Sequence, residues 1–210
     1  MNKALFWDND GVLVDTEQLY FRATQQVLAT VGIPLTTEQY VDLFMVQSTG
    51  AWHLAEERGI DRLEVERLRS QRDTLYCQWL CEVPLVMPGV SRVIEDLSGR
   101  YLMGIVTSSP RAQFDLMHRR TNLLQYFDFV LTGDDYTRFK PHPEPYLRAI
   151  QRSGMTAEAC LAIEDSQRGL ASAKKAGLRC FVVPNALTRN GNFGDADRIV
   201  ESVTEILTVL

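Results

Sequence analysis

The chain has 210 residues, 45% of them hydrophobic and 23% charged, with a formal net charge of −5. That composition suits a globular protein large enough to bury a sizeable core, and the acidic balance argues against a nucleic-acid or membrane-surface partner. No apolar run approaches the roughly 18 residues of a spanning helix, and the N-terminus MNKALFWDND turns acidic too soon for a secretory signal.

In chain order, the first expected strand is ALFW, residues 4–7. It ends in two aspartates, Asp8 and Asp10, with one residue between them. Three readings compete for FWDNDGVLVD. A calcium loop fails, because Val12, Leu13 and Leu19 occupy the positions that need an oxygen ligand, a glycine and a glutamate. From these ten residues alone, an Asp-Gly hairpin turn at Asp10-Gly11 is better supported than a catalytic site. The rest of the chain reverses that order.

From Thr16 to Cys81 the pattern is helical almost throughout. Leu19, Ala23, Val27 and Val31 share a stripe. Thr36 and Gln39 form a capping box, Gly32 and Gly59 mark helix stops, and Leu68, Leu75, Tyr76 and Trp79 mark a longer helix. The basic stretch RLEVERLRSQRD (62–73) mixes acids at helical spacing, which predicts a solvated face rather than a binding patch. The chain returns through VPLVMPG (83–89), whose prolines suit a stiff hinge.

Strand and helix then alternate. YLMGIV precedes a helix from SSPRAQFDLMHRR, with Ser109 as expected N-cap and Pro110 in the first turn. FDFVLT precedes PEPYLRAIQRSG, CLAIE precedes SQRGLASAKKAGL, RCFVV follows, and SVTEILTVL closes in a helix. Runs apolar throughout, rather than alternating, suit a parallel sheet buried on both faces. The expected fold is α/β: a doubly wound parallel sheet formed by 1–15 and 82–210, with an all-helical insertion at 16–81. Of the cysteines, Cys77, Cys81, Cys160 and Cys180, none form a Cys-x-x-Cys pair. Free thiols in a reducing cytoplasm are the expectation. His53, His118 and His142 show no metal-ligand spacing and are taken as structural.

In open parallel sheets, ligands bind beyond the carboxyl ends of the strands. There the chain carries Asp8 and Asp10, then Thr107, Ser108 and Ser109, then Lys140 in a proline-rich frame, then Glu164 and Asp165. Four neighbouring carboxylates need a cation, and hard oxygen donors with room for water indicate Mg2+. A dication, a lysine and a helix N-terminus all attract phosphate, so the pattern points to phosphoryl transfer with a carboxylate nucleophile.

Four motifs in order, WDNDGVLVD, IVTSS, KPHPEPYL and AIEDSQRGLASAKKAGL, span the chain and resemble the haloacid dehalogenase-like (HAD) hydrolase superfamily, in its branch of β-phosphoglucomutase and phosphosugar phosphatases. The resemblance implies a Rossmann-like core (1–15 and 82–210) with Asp8 on a central strand, a mobile helical cap domain (16–81) inserted after it, Asp8 as nucleophile and Asp10 as acid/base. It implies phosphate binding by Thr107, Lys140 and the Ser108 region. It implies a magnesium site from Asp8, the Asp10 carbonyl and Asp165, with Glu164 near the metal. Trp7 stands where phenylalanine is usual, and Asn9 where an apolar residue is common; Asn9 is expected to contribute mainly backbone. Thr16, Glu17, Tyr20 and Gln47 are candidate substrate contacts in the cap, whereas Trp52 is taken as cap core.

The expected reaction is hydrolysis of a small phosphate monoester, a phosphosugar above all. A phosphomutase is the rival. By analogy a mutase carries a histidine in the first cap helix and an arginine in the next loop, but here Tyr20 and the arginine-free FMVQSTGAW stand there. A dehalogenase needs neither Asp10 nor a magnesium site, and a non-catalytic binding protein needs no complete set of these residues. The substrate and the oligomeric state are not specified.

Overall fold

The computed structural model describes residues 3–210; the first two residues of the N-terminal segment lie outside it. Six parallel strands form one sheet in the order β3-β2-β1-β4-β5-β6: β1 (Ala4–Trp7), β2 (Leu102–Val106), β3 (Phe129–Leu131), β4 (Cys160–Glu164), β5 (Arg179–Val182) and β6 (Arg198–Ile199). This is the expected doubly wound α/β fold. The order reverses direction at β1, which pairs with β2 on one side and β4 on the other.

All four β1 residues are fully buried, and they alternate between two cores. Leu5 and Trp7 join Val90 and Ile94 of α5 (Val90–Leu97), Phe114 of α6 (Arg111–His118) and Ile206 of α9 (Ile206–Val209). Ala4 and Phe6 join Tyr146 and Ala149 of α7 (Glu144–Ser153) and Leu170 and Ala173 of α8 (Gln167–Lys175). Burial on both faces explains why the strands are apolar without alternation.

The chain divides into two compact units: the segment ending at Asp15 together with Leu85–Leu210, and Thr16–Pro84. The second is helical, with α1 (Glu17–Ala29), α2 (Thr37–Tyr40), a π-helical segment (Val41–Val46), α3 (His53–Glu56) and α4 (Arg62–Glu82). The capping box is complete: Gln39 N–H donates to Thr36 Oγ1 at 3.2 Å and Thr36 N–H to Gln39 Oε1 at 3.0 Å. Phe21, Val27, Leu28, Tyr40, Leu68 and Tyr76 are buried in this unit. No helix of the described residues is long and apolar enough to cross a membrane.

Several local expectations change. The Asp10-Gly11 turn is tight but opens no hairpin with β1: Val12, Leu13 and Val14 N–H groups all point to the Asn9 carbonyl, and Val14 pairs antiparallel with Val86. In the segment expected as a stiff hinge, Leu85 O accepts from Asp15 N–H at 2.7 Å and Met87 N–H donates to Leu13 O at 3.0 Å. Helix α6 begins at Arg111 with Pro110 as N-cap, so Ser109 is not the cap. The C-terminal helix is preceded by a 3-10 turn at Val203–Glu205. Arg62, Arg67 and Arg69 are exposed as expected for a solvated face, but Arg72 is buried. Cys160 and Cys180 are buried thiols, while Cys77 and Cys81 are half-buried.

Candidate active site

The register of the sheet brings the acids together. Trp7 pairs with Ile163, so the next residues, Asp8 and Glu164, stand side by side at the carboxyl ends of β1 and β4. Asp8 N–H continues the ladder to Ile163 O at 2.9 Å. Asp8, Glu164 and Asp165 are all buried, and each offers a carboxylate oxygen within 4.8 Å of the others.

Lys140 enters from the loop after β3. Its Nζ lies 2.7 Å from Asp8 Oδ1, 2.7 Å from Glu164 Oε1 and 2.8 Å from the Val106 carbonyl. Glu164 Oε1 also accepts from Tyr146 O–H at 2.6 Å, while its Oε2 is buried with no hydrogen-bond partner. Burial pushes the Asp8 carboxyl up to about 7, helped by Glu164 and opposed by Lys140. Burial alone would lower Lys140, but Asp8 and Glu164 outweigh it and hold the ammonium well above its usual range. Three buried carboxylates thus face one ammonium. The charge that remains, and an all-oxygen donor set, fit a hard divalent cation such as Mg2+.

Two glycines make room for this arrangement. A methyl on Gly169, in the first turn of α8, would lie 1.8 Å from Glu164 Oε2. One on Gly11 would lie 2.3 Å from Asp165 Oδ2, and Gly11 has φ +85°, which favours glycine.

Asp10 is set apart from the three acids. Its Oδ2 accepts from Thr107 Oγ1 at 2.8 Å and from Ser109 Oγ at 3.0 Å. This explains the displaced cap: Ser109 donates its hydroxyl to Asp10 and its N–H to Thr107 Oγ1 at 3.0 Å. Ser108 Oγ is buried without a hydrogen-bond partner. Tyr136 O–H donates to the Thr107 carbonyl at 2.5 Å, and burial pushes that phenol up to about 12.

Among the cap candidates, Glu17 Oε1 accepts from Tyr40 O–H at 2.5 Å. Tyr20 packs edge-on to Tyr76 and Phe44. Gln47 is exposed and donates to Asp42 Oδ2 at 2.7 Å; Thr16 is buried. Trp52 is buried, as taken. The Arg72 guanidinium lies 4.3 Å from the Tyr20 ring centroid and 5.4 Å from that of Trp52.

Three further residues bear on the site, Asn9 and Tyr146 inside the motifs WDNDGVLVD and KPHPEPYL and Asn185 outside all four. Asn185, beyond β5, donates to Asp165 Oδ2 at 2.7 Å and orients it. Tyr146 holds Glu164. Asn9, expected to act through its backbone, is fully buried with its side chain engaged: Oδ1 lies 2.7 Å from His118 Nε2 and Nδ2 3.3 Å from Asp10 Oδ2. Burial pushes His118 down from its ordinary 6.5 to about 4. The unfolded chain therefore takes up this proton first. Stability from His118 is fully present above pH 6.5 and is lost as pH falls from 6.5 to about 4, by about 3 kcal/mol in total. Urea unfolding of the parent and of His118→Gln across that range measures it: the parent is expected to lose stability more steeply.

The family model described as "Haloacid dehalogenase-like hydrolase" matches residues 5–183. The "Phosphorylated carbohydrates phosphatase" of Thermotoga maritima is 33% identical over 99% of this chain and 98% of its own length. The crystal structure of CbbY from Rhodobacter sphaeroides in complex with phosphate superposes with a TM-score of 0.83 at 27% identity, covering 98% of this chain and 96% of that one. A β-phosphoglucomutase from Clostridium difficile shares the fold, with a TM-score of 0.80 at 22% identity over 98% of this chain and 93% of that one.

Proposed function

Because this chain belongs to the haloacid dehalogenase-like hydrolase family, we propose that it is a magnesium-dependent phosphatase that hydrolyses a small phosphate monoester, a phosphosugar above all, through an aspartyl phosphate on Asp8. The observation that carries this reading is the buried cluster at the switch point of the sheet, where Asp8, Glu164 and Asp165 gather and Lys140 bonds to Asp8 and Glu164. The relative named a phosphatase of phosphorylated carbohydrates supports the substrate class.

Asp8 attacks phosphorus in line with the departing ester oxygen and becomes the mixed anhydride. Asp10 protonates the departing alkoxide, then takes a proton from the water that cleaves the anhydride. Thr107 and Ser109 hold Oδ2 of Asp10 at 2.8 and 3.0 Å and so fix the orientation of its carboxyl. Lys140, Thr107 and the unsatisfied Ser108 hydroxyl hold the transferred phosphoryl oxygens. Asp8 and Asp165, joined by the Asp10 carbonyl as the family resemblance implies, would hold Mg2+, with Glu164 the third acid of the cluster and Asn185 orienting Asp165. The ion, when bound, offsets the carboxylates and neutralises charge on the phosphoryl group.

One observation favours a phosphomutase. A mutase must grip the non-reacting end of a sugar phosphate, and the expected cap cation is missing from the Phe44–Trp52 loop. Arg72 is a buried cation on α4 within the helical unit, its Nε paired with Asp73 at 2.9 Å and its Nη1 without a hydrogen-bond partner. Phosphorus NMR of β-glucose 1-phosphate with a bisphosphate primer separates the two. Free inorganic phosphate without isomerisation is expected. Efficient conversion to glucose 6-phosphate would establish the mutase.

A further inference from the structure

Asn9 places a polar side chain in the core beside the proposed acid/base. Its Nδ2 faces two acceptors, Asp10 Oδ2 at 3.3 Å and Met117 Sδ at 3.2 Å. A carboxylate and a thioether cannot donate, so the amide nitrogen belongs on that side. Its Oδ1 then faces His118 Nε2, 2.7 Å away, and the imidazole must carry its proton there. His118 Nδ1 is left as the acceptor, and Thr121 Oγ1, 3.0 Å away, donates to it. Burial, which pushes His118 down to about 4, keeps the ring neutral with one donor and one acceptor. The bonds run one way, from Thr121 through His118 and Asn9 to Asp10.

Asp10 Oδ2 therefore receives three donors: Thr107 Oγ1, Ser109 Oγ and Asn9 Nδ2. The two hydroxyls can rotate away. The amide cannot turn without breaking its bond to His118 and presenting Oδ1 to a carboxylate. We propose that Asn9 and His118 are positioning residues for the acid/base: His118 locks the amide of Asn9, which pins Oδ2 of Asp10 and so fixes the orientation of the carboxyl. This rests on the reading of Asp10 as acid/base.

The test uses two esters with magnesium present, phenyl phosphate and p-nitrophenyl phosphate. The phenyl ester has the poorer leaving group and depends on protonation; the nitrophenyl ester scarcely does. For Asn9→Leu and for His118→Leu, kcat/KM for phenyl phosphate is expected to fall about tenfold, the worth of one hydrogen bond to a charged group. For p-nitrophenyl phosphate the fall is expected to stay below about threefold. His118→Gln, whose amide can donate from near the place of Nε2, should restore parent rates on both esters. Asn9→Leu/His118→Leu replaces both polar partners with apolar groups and guards against a folding defect; it should show the same selective loss. Equal losses on both esters, or none on either, while Asp10→Asn shows the selective loss, would overturn the proposal and leave the function standing. An inactive parent enzyme would overturn both.

Discussion

Asp8→Asn is expected to reduce phosphate release from p-nitrophenyl phosphate by at least about 10⁴-fold, to no detectable turnover. An amide has no charge to attack phosphorus and is a weaker ligand for magnesium. The loss should not reflect unfolding. Lys140 keeps Glu164 at 2.7 Å and the Val106 carbonyl at 2.8 Å, so its buried ammonium is not left without partners. Circular dichroism should therefore match the parent protein. Near-normal turnover by this variant would remove the mechanism.

Chelation should have an effect of similar size. Of the clustered acids Asp8, Glu164 and Asp165, the first two bond to the Lys140 ammonium, the one lysine bonded within the cluster among the described residues. Two like charges about 4 Å apart repel by about 4 kcal/mol near a protein surface, so an anionic ester approaching uncompensated carboxylates is strongly disfavoured. Excess chelator is expected to stop phosphate release, and added magnesium to restore it. Calcium should bind and support little turnover, because its larger and looser shell misplaces the nucleophile. Full activity in excess chelator would refute the assignment of these acids to a metal.

The strands were legible in the sequence because burial on both faces forces them to be apolar throughout, as Ala4–Trp7 are. β6 was not: it has two residues, Arg198 and Ile199, both exposed and without a pattern. Asp8, Lys140, Glu164 and Asp165 could be grouped because each ends or follows a strand, and parallel strands deliver such residues to one edge. What escaped were choices made by distant partners. Ser109 before a proline has the local signal of an N-cap, yet Asp10 and Thr107 draw its hydroxyl and its amide elsewhere. Asn9 looked like a backbone residue because its partner, His118, is 109 positions away. Arg72 sits in a stretch whose other arginines are solvated, and only folding sets it against Tyr20 and Trp52. Asn185 and Tyr146 orient acids with which they share no motif.

Trapping the covalent intermediate tests the central claim most directly. Enzyme turning over p-nitrophenyl phosphate with magnesium would be quenched in acid and treated with borohydride, which reduces an aspartyl phosphate to homoserine. Peptide mass spectrometry is expected to find homoserine at position 8 and at no other aspartate. Unmodified Asp8 in enzyme quenched during active turnover, or homoserine at another position, would contradict the account.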